Sequence, residues 1–91
     1  MRGRKKGKVV TVRGLILPVE WDEHDNVVAV VIETADEESF IVETDKKGRE
    51  LLQFIHHEVE ATGTTREAEY GNVYIKVKTY TPLEKTPENL P

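Results

Sequence analysis

Two clusters in the chain hold side chains able to ligate a metal. Glu20, Asp22, His24 and Asp25 crowd one short stretch. Alternation along an extended strand would set Glu20, Asp22 and His24 on one side. His56, His57 and Glu58 form the second cluster. Neither spacing matches a metal-binding pattern with a recognised mechanism. The first reads better as a polar loop. The adjacent histidines read as the end of a helix, where the negative end of the dipole favours imidazolium.

Nucleophilic chemistry finds less. Ser39 is the sole serine, cysteine is absent, and no histidine lies near Ser39 in sequence. No glycine-rich phosphate cradle, paired-histidine zinc motif or nucleophile elbow is present. The residues point to a protein that is not an enzyme and that uses no cofactor and no metal.

Binding chemistry has more material. Tyr74, Lys76, Lys78 and Tyr80 alternate aromatic and cationic groups, with Thr11 and Arg13 as candidate neighbours on the first strand. Stacking rings with phosphate-binding cations make up a single-stranded nucleic-acid platform. An ordinary solvent face of a strand also carries Tyr and Lys, and edge lysines deter aggregation. Arg2, Arg4, Lys5, Lys6 and Lys8 form a basic arm able to bind phosphates in a salt-sensitive way. The plainer reading is a solvated terminus.

Charge distribution weighs against a polyanion. The arm contributes +5, and Glu84, Lys85 and Glu88 contribute −1. With a chain total of −4, residues 9–80 carry −8. An acidic body repels the polyanion that its arm would attract. Trp21, the single tryptophan, reads as a loop anchor at a barrel end, with a ligand cap as the other reading.

The elements that must position these groups follow from periodicity. The chain has 91 residues and a mass of 10.4 kDa, room for one domain. Residues 1–8 read as a disordered basic arm, 9–80 as the folded domain and 81–91 as a disordered proline-rich tail. No run approaches the roughly 18 apolar residues of a membrane span. Thr11, Arg13 and Gly14 interrupt the valines behind the basic start, against a signal peptide. Freedom from cysteine fits a reducing cytoplasm.

Residues 9–17 alternate as a strand with Val10 and Val12 on one face, and Gly14 marks a bend. Pro18 weakens pairing and leaves Val19–Trp21 as a frayed continuation. Residues 27–34 form a second strand. Val28, Val30 and Ile32 share one face; Val27, Ala29, Val31 and Glu33 share the other. Ser39–Thr44 is a third strand, with Phe40 and Val42 inward and Ile41 and Glu43 outward. A helix is expected from about Arg49 to His57, capped by Gly48, with Leu51, Leu52 and Ile55 as its apolar stripe. Residues 58–66 and 73–80 are the last strands. Val59 and Ala61 point inward on one; Val73, Ile75 and Val77 do so on the other. Tyr74, Lys76, Lys78 and Tyr80 point outward.

Val10-Thr-Val12-Arg-Gly14 and Val59-Glu-Ala61-Thr-Gly63 repeat one pattern, apolar-x-apolar-x-Gly. Glycine after two inward residues lets a strand bend sharply enough to close a small barrel. This echo, and a helix between the third and fourth strands, resemble the oligonucleotide/oligosaccharide-binding (OB) fold, and within it the small stand-alone bacterial OB domains. The resemblance implies an all-β, five-stranded antiparallel barrel with one short helix, in chain order strand, strand, strand, helix, strand, strand. It also implies a binding face on the outside of strands two and three, flanked by the loops near 21–26 and 65–72.

That face lacks the aromatics and cations of a nucleic-acid binder. Its candidate interaction residues are Val27, Ala29, Val31 and Ile41, beside Glu33 and Glu43. The reading that follows is a non-catalytic binding module for a protein partner or self-association. Weak single-stranded nucleic-acid binding through the arm and the Tyr/Lys face is the alternative. No membrane partner is expected.

Overall fold

The computed structural model describes residues 8–83. Five strands close into a barrel: β1 (Val9–Trp21), β2 (Val27–Thr34), β3 (Ser39–Val42), β4 (Glu58–Glu67) and β5 (Val73–Pro82). Around the barrel the order is β1-β2-β3-β5-β4, with β4 returning to β1. The barrel is mixed. β3 and β5 pair in parallel at Ile41–Tyr74 and Val42–Ile75, and every other neighbour is antiparallel. The expectation of an all-antiparallel barrel is corrected there. Placing a helix between β3 and β4 carries the chain across one end, and β5 then returns beside β3 in the same direction.

Alternation fills the interior. Ile16, Val30, Ile32, Val42, Val59, Ala61, Ile75 and Val77 are buried, and Val10 and Val12 pack against them. Gly14 and Gly63 explain the repeated pattern. A Cβ on Gly14 would run into the Glu33 carbonyl, and one on Gly63 into the Lys76 carbonyl. Strands cross there too closely for any side chain.

Helix α1 (Lys46–Glu50) passes directly into a 3-10 turn, Leu51–Phe54. The expected helix over Arg49–His57 therefore lies too late in the chain. Asp45, rather than Gly48, is the N-cap, and its carboxylate accepts the Gly48 N–H at 2.9 Å. Gly48 sits one turn inside, buried against the Glu43 carbonyl. Past Phe54 the chain reverses through His56, at φ 73°. The His56 N–H donates to the Ile16 carbonyl at 2.7 Å, and the His57 carbonyl accepts the Ile16 N–H at 3.0 Å. The two histidines thus extend the sheet pairing of β1 rather than end a helix. Leu51 is fully buried, and Phe54 and Ile55 lean on the core.

Three bulges change which way side chains face. Opposite β2, register skips Val19 after Pro18 on β1 and then skips Val28 on β2. Pro18 has no N–H to donate, so the ladder is interrupted there. Pairing resumes at Glu20–Ala29 and Trp21–Val27, so Val19–Trp21 is a paired end of β1 rather than the expected frayed continuation. Between β4 and β5 the register skips Lys78.

Candidate functional site

The sequence-derived outer face holds at its centre and fails at one end. Val31 and Ile41 are directly opposite each other on β2 and β3, and both are half-buried. Val27 and Ala29 are not part of an open stripe. The bulge at Val28 reverses the alternation, so Val27 packs against the core and Ala29 is 6% exposed. Val28, expected inside, is 36% exposed instead.

Register extends the row in both other directions. Leu17 on β1 pairs with Val31, and Tyr74 on β5 pairs with Ile41. Directly paired residues share a face. Leu17, Val31, Ile41 and Tyr74 therefore form one apolar row across four strands. Arg66 of β4 pairs with Tyr74 and ends the row. Its guanidinium lies over the Tyr74 ring at 4.5 Å, and its Nε donates to Glu43 at 2.7 Å. The Glu43 carboxylate, chiefly by that hydrogen bond, holds the Arg66 proton more tightly than usual. Leu15, 40% exposed, lies beside the row opposite Glu33. Glu33 accepts the Ser39 hydroxyl at 3.0 Å.

Leu17 and Arg66 escaped the sequence reading because each belongs to the row only through pairing with distant strands. Alternation around the inward Ile16 was a usable signal for Leu17. Nothing local pointed to Arg66.

Next to the row, β3 and β5 splay apart ahead of their first pair. The gap is an open cleft of about 370 Å³ lined by Glu38, Ser39, Phe40, Ile41, Gly71, Asn72 and Val73. Tyr70 immediately precedes the lining residue Gly71, at the tip of the β4–β5 loop (Glu69–Gly71), and is 95% exposed at φ 61°. A fully exposed ring on a left-handed, non-glycine residue is unusual on both counts.

The Tyr/Lys face comes apart. Skipping Lys78 turns Tyr80 inward, paired with Ala61 and packed on the core. Its ring meets Phe54 edge-on at 5.8 Å, and its hydroxyl donates to Glu50 at 2.9 Å. Burial first, and the Glu50 carboxylate second, push the Tyr80 phenol above its ordinary pKa. The expectation that Tyr80 points outward is corrected there. Tyr74 remains outside, under Arg66. Lys76 is outside and bridged to Asp45 at 3.1 Å. Lys78 is exposed at the bulge, and Arg13 is exposed opposite Glu60. Lys8 is exposed, and its carbonyl accepts the Thr65 N–H at 3.1 Å. Arg2, Arg4, Lys5 and Lys6 lie outside the described residues, as do residues 1–7 of the arm and 84–91 of the tail. Thr81 and Pro82, expected in the disordered tail, end β5 instead, because β4 is long enough to pair with them.

The metal-type clusters have structural work. Asp22 accepts the backbone N–H groups of His24 and Asn26 at 2.8 and 2.9 Å, and the Asn26 amide at 3.3 Å. These bonds, the Asn26 N–H first, hold its carboxyl below the usual range. Among the described residues no three His, Asp or Glu gather to hold a metal ion. No helix among them is long and apolar enough to cross a membrane. Trp21 is 52% exposed at the end of β1, opposite Val27.

Comparison with known proteins locates the fold and no more. No protein-family profile and no curated protein matches the chain. A solved structure of a DUF3299 family protein from Pseudomonas aeruginosa PAO1 is similar, with a TM-score of 0.52 at 17% sequence identity. The match covers 88% of this chain and 64% of that one. The closed five-stranded barrel is compatible with an OB-like barrel.

Proposed function

We propose that the chain is a non-catalytic, OB-type binding module that engages a protein partner through the outer row Leu17–Val31–Ile41–Tyr74. The observation that carries this reading is the row itself, one apolar track across four strands, flanked by exposed Leu15. Apolar surface continuous over several strands is a feature of interaction sites, whereas isolated exposed leucines and valines are ordinary. It overlaps the place where OB barrels take their ligands, the outside of strands two and three.

The nucleic-acid reading is weaker for one physical reason. An exposed Lys76–Asp45 pair contributes only about 0–1 kcal/mol, so Lys76 is readily released to a phosphate. Tyr80 is not: freeing its ring gives up the contact with Phe54 and the bond to Glu50. The expected stacking pair is therefore reduced to Tyr74 alone.

A photo-crosslinking amino acid at Val31, with one at Arg13 as control, tests the proposal in the producing cell. The expected outcome is a discrete protein adduct from position 31 and none from position 13. An adduct at twice the chain mass identifies a second copy as the partner. Indistinguishable profiles from the two positions overturn the proposal.

A further inference from the structure

The cleft beside the row has features that the row alone does not use. It opens because β3 and β5, parallel neighbours, pair only from Ile41 and Tyr74 onward. Ahead of that point the two backbones separate, and the cleft occupies the gap. Ser39 pairs with Glu33 of β2. The neighbouring Thr34–Glu38 pair is the hydrogen-bonded one, its Thr34 N–H reaching the Glu38 carbonyl at 2.9 Å. Hydrogen-bonded and non-hydrogen-bonded pairs alternate in an antiparallel ladder. The Ser39 N–H and C=O therefore point away from β2, into the cleft. A strand edge with free main-chain groups accepts an added strand.

The walls and rim describe what would fit. Phe40, Ile41 and Val73 supply apolar walls. Asp36, Glu37 and Glu38 lie on the β2–β3 turn, and Glu67 and Glu69 lead into the β4–β5 loop, all exposed. Arg66, the described cation nearest in sequence to that loop, is already taken by Glu43. An incoming extended segment thus meets free main-chain groups, an apolar slot, the Glu38 carboxylate in the lining and further carboxylates on the two adjoining loops. Tyr70, next in sequence to the lining residue Gly71, has its ring in water.

We propose that this cleft takes up an extended, lysine- or arginine-rich segment of the partner protein, which pairs with the Ser39 main chain and seats an apolar side chain against Ile41 and Val73, beside Tyr70. This rests on the reading of the outer row as a protein-binding face and names the partner chemistry of its β3–β5 end. Charge complementarity selects the cation and suppresses acidic competitors. The strand edge selects an extended backbone. The apolar slot distinguishes such a segment from a bare polycation.

The test is fluorescence anisotropy of the whole chain with a short labelled peptide of alternating lysine and valine. Controls are a glutamate–valine peptide, a lysine–glycine peptide and a labelled oligothymidine. The lysine–valine peptide is expected to bind, and to shift the backbone amide resonances of Ser39–Ile41 and Gly71–Val73. Glu38→Lys with Glu69→Lys is expected to weaken it about tenfold or more, and Tyr70→Ala to weaken it measurably. Both changes are on exposed residues, so an unchanged amide spectrum elsewhere certifies the fold. Equal binding of lysine–glycine peptide, preferred binding of oligothymidine, shifts away from the cleft, or no binding each overturn the proposal. An adduct at position 31 without cleft binding overturns the cationic segment and keeps the row. Loss of both overturns the row as well.

Discussion

Asp45 shows how one side chain can hold two elements. Its carboxylate caps α1 through the Gly48 N–H and bridges to Lys76 on β5. Those two contacts, the Gly48 bond first, lower its pKa. A carboxyl depressed on folding stabilises the protein above the unfolded value, about 3.9, and that contribution is lost as pH falls through the lower folded value. Asp45→Ala is therefore expected to lose about 1 kcal/mol near neutrality and to flatten the stability curve below about pH 4. Urea denaturation at several pH values checks both.

The glycines give a second residue-scale prediction. Gly63→Ala forces a Cβ onto the Lys76 backbone, which cannot swing aside. A loss of about 2–3 kcal/mol is expected, at the upper end of ordinary point changes. At Gly71 nothing crowds a Cβ, but φ is +78°, so Gly71→Ala is expected to cost about 1 kcal/mol. The order of the two variants in thermal or chemical denaturation is the measurement.

At the scale of elements, much was legible and the failures share a cause. The five strands, their turns and the inward faces of β1 and β4 followed from alternation, because alternation is local. The glycine echo was legible because close strand crossing tolerates no Cβ. What was not legible were the bulges at Val19, Val28 and Lys78. Each inserts one residue and reverses every side chain beyond it. That single effect moved Val27 and Ala29 off the outer face and turned Tyr80 inward. Helix placement failed for a different reason. Asp45 outranks glycine as a cap, and weighing the two would have found the start. The 3-10 turn instead depends on Leu51 and Phe54 meeting a finished barrel. Tyr80 links that segment to β5, so Tyr80→Phe, which removes the bond to Glu50, is expected to cost about 1 kcal/mol. Hydrogen exchange should accelerate in residues 46–54 before it does in β1 or β4. Uniform acceleration would show that the bond does not act locally.

At the scale of the whole molecule, charge decides between partners. The described body is acidic in the loops beside the cleft, and its outward aromatics are Tyr70, Tyr74 and, at the far end of β1, Trp21. Oligonucleotide binding, where it occurs at low salt, is expected to disappear when residues 1–7 are removed and to be unaffected by Tyr74→Ala. Anisotropy at two salt concentrations separates the cases, since phosphate contacts fade steeply with salt. Binding that survives the truncation would restore the barrel as a nucleic-acid surface.

The arrangement around β4 also governs how the molecule bears tension. β1 and β5 flank β4, both antiparallel to it. The described chain starts beside Thr65, near one end of β4, and finishes at the other, where the Leu83 N–H meets the Glu58 carbonyl at 2.8 Å. A pull applied to the two ends is therefore transmitted from β1 through β4 to β5, parallel to the strands and across their hydrogen bonds. Rungs loaded sideways share the load and yield together, whereas rungs loaded end-on unzip singly. Drawn from residues 8 and 83, the barrel should rupture abruptly at high force. Drawn from positions 26 and 37, the two turns at opposite ends of β2, it should load a different pair of ladders and give a different rupture force.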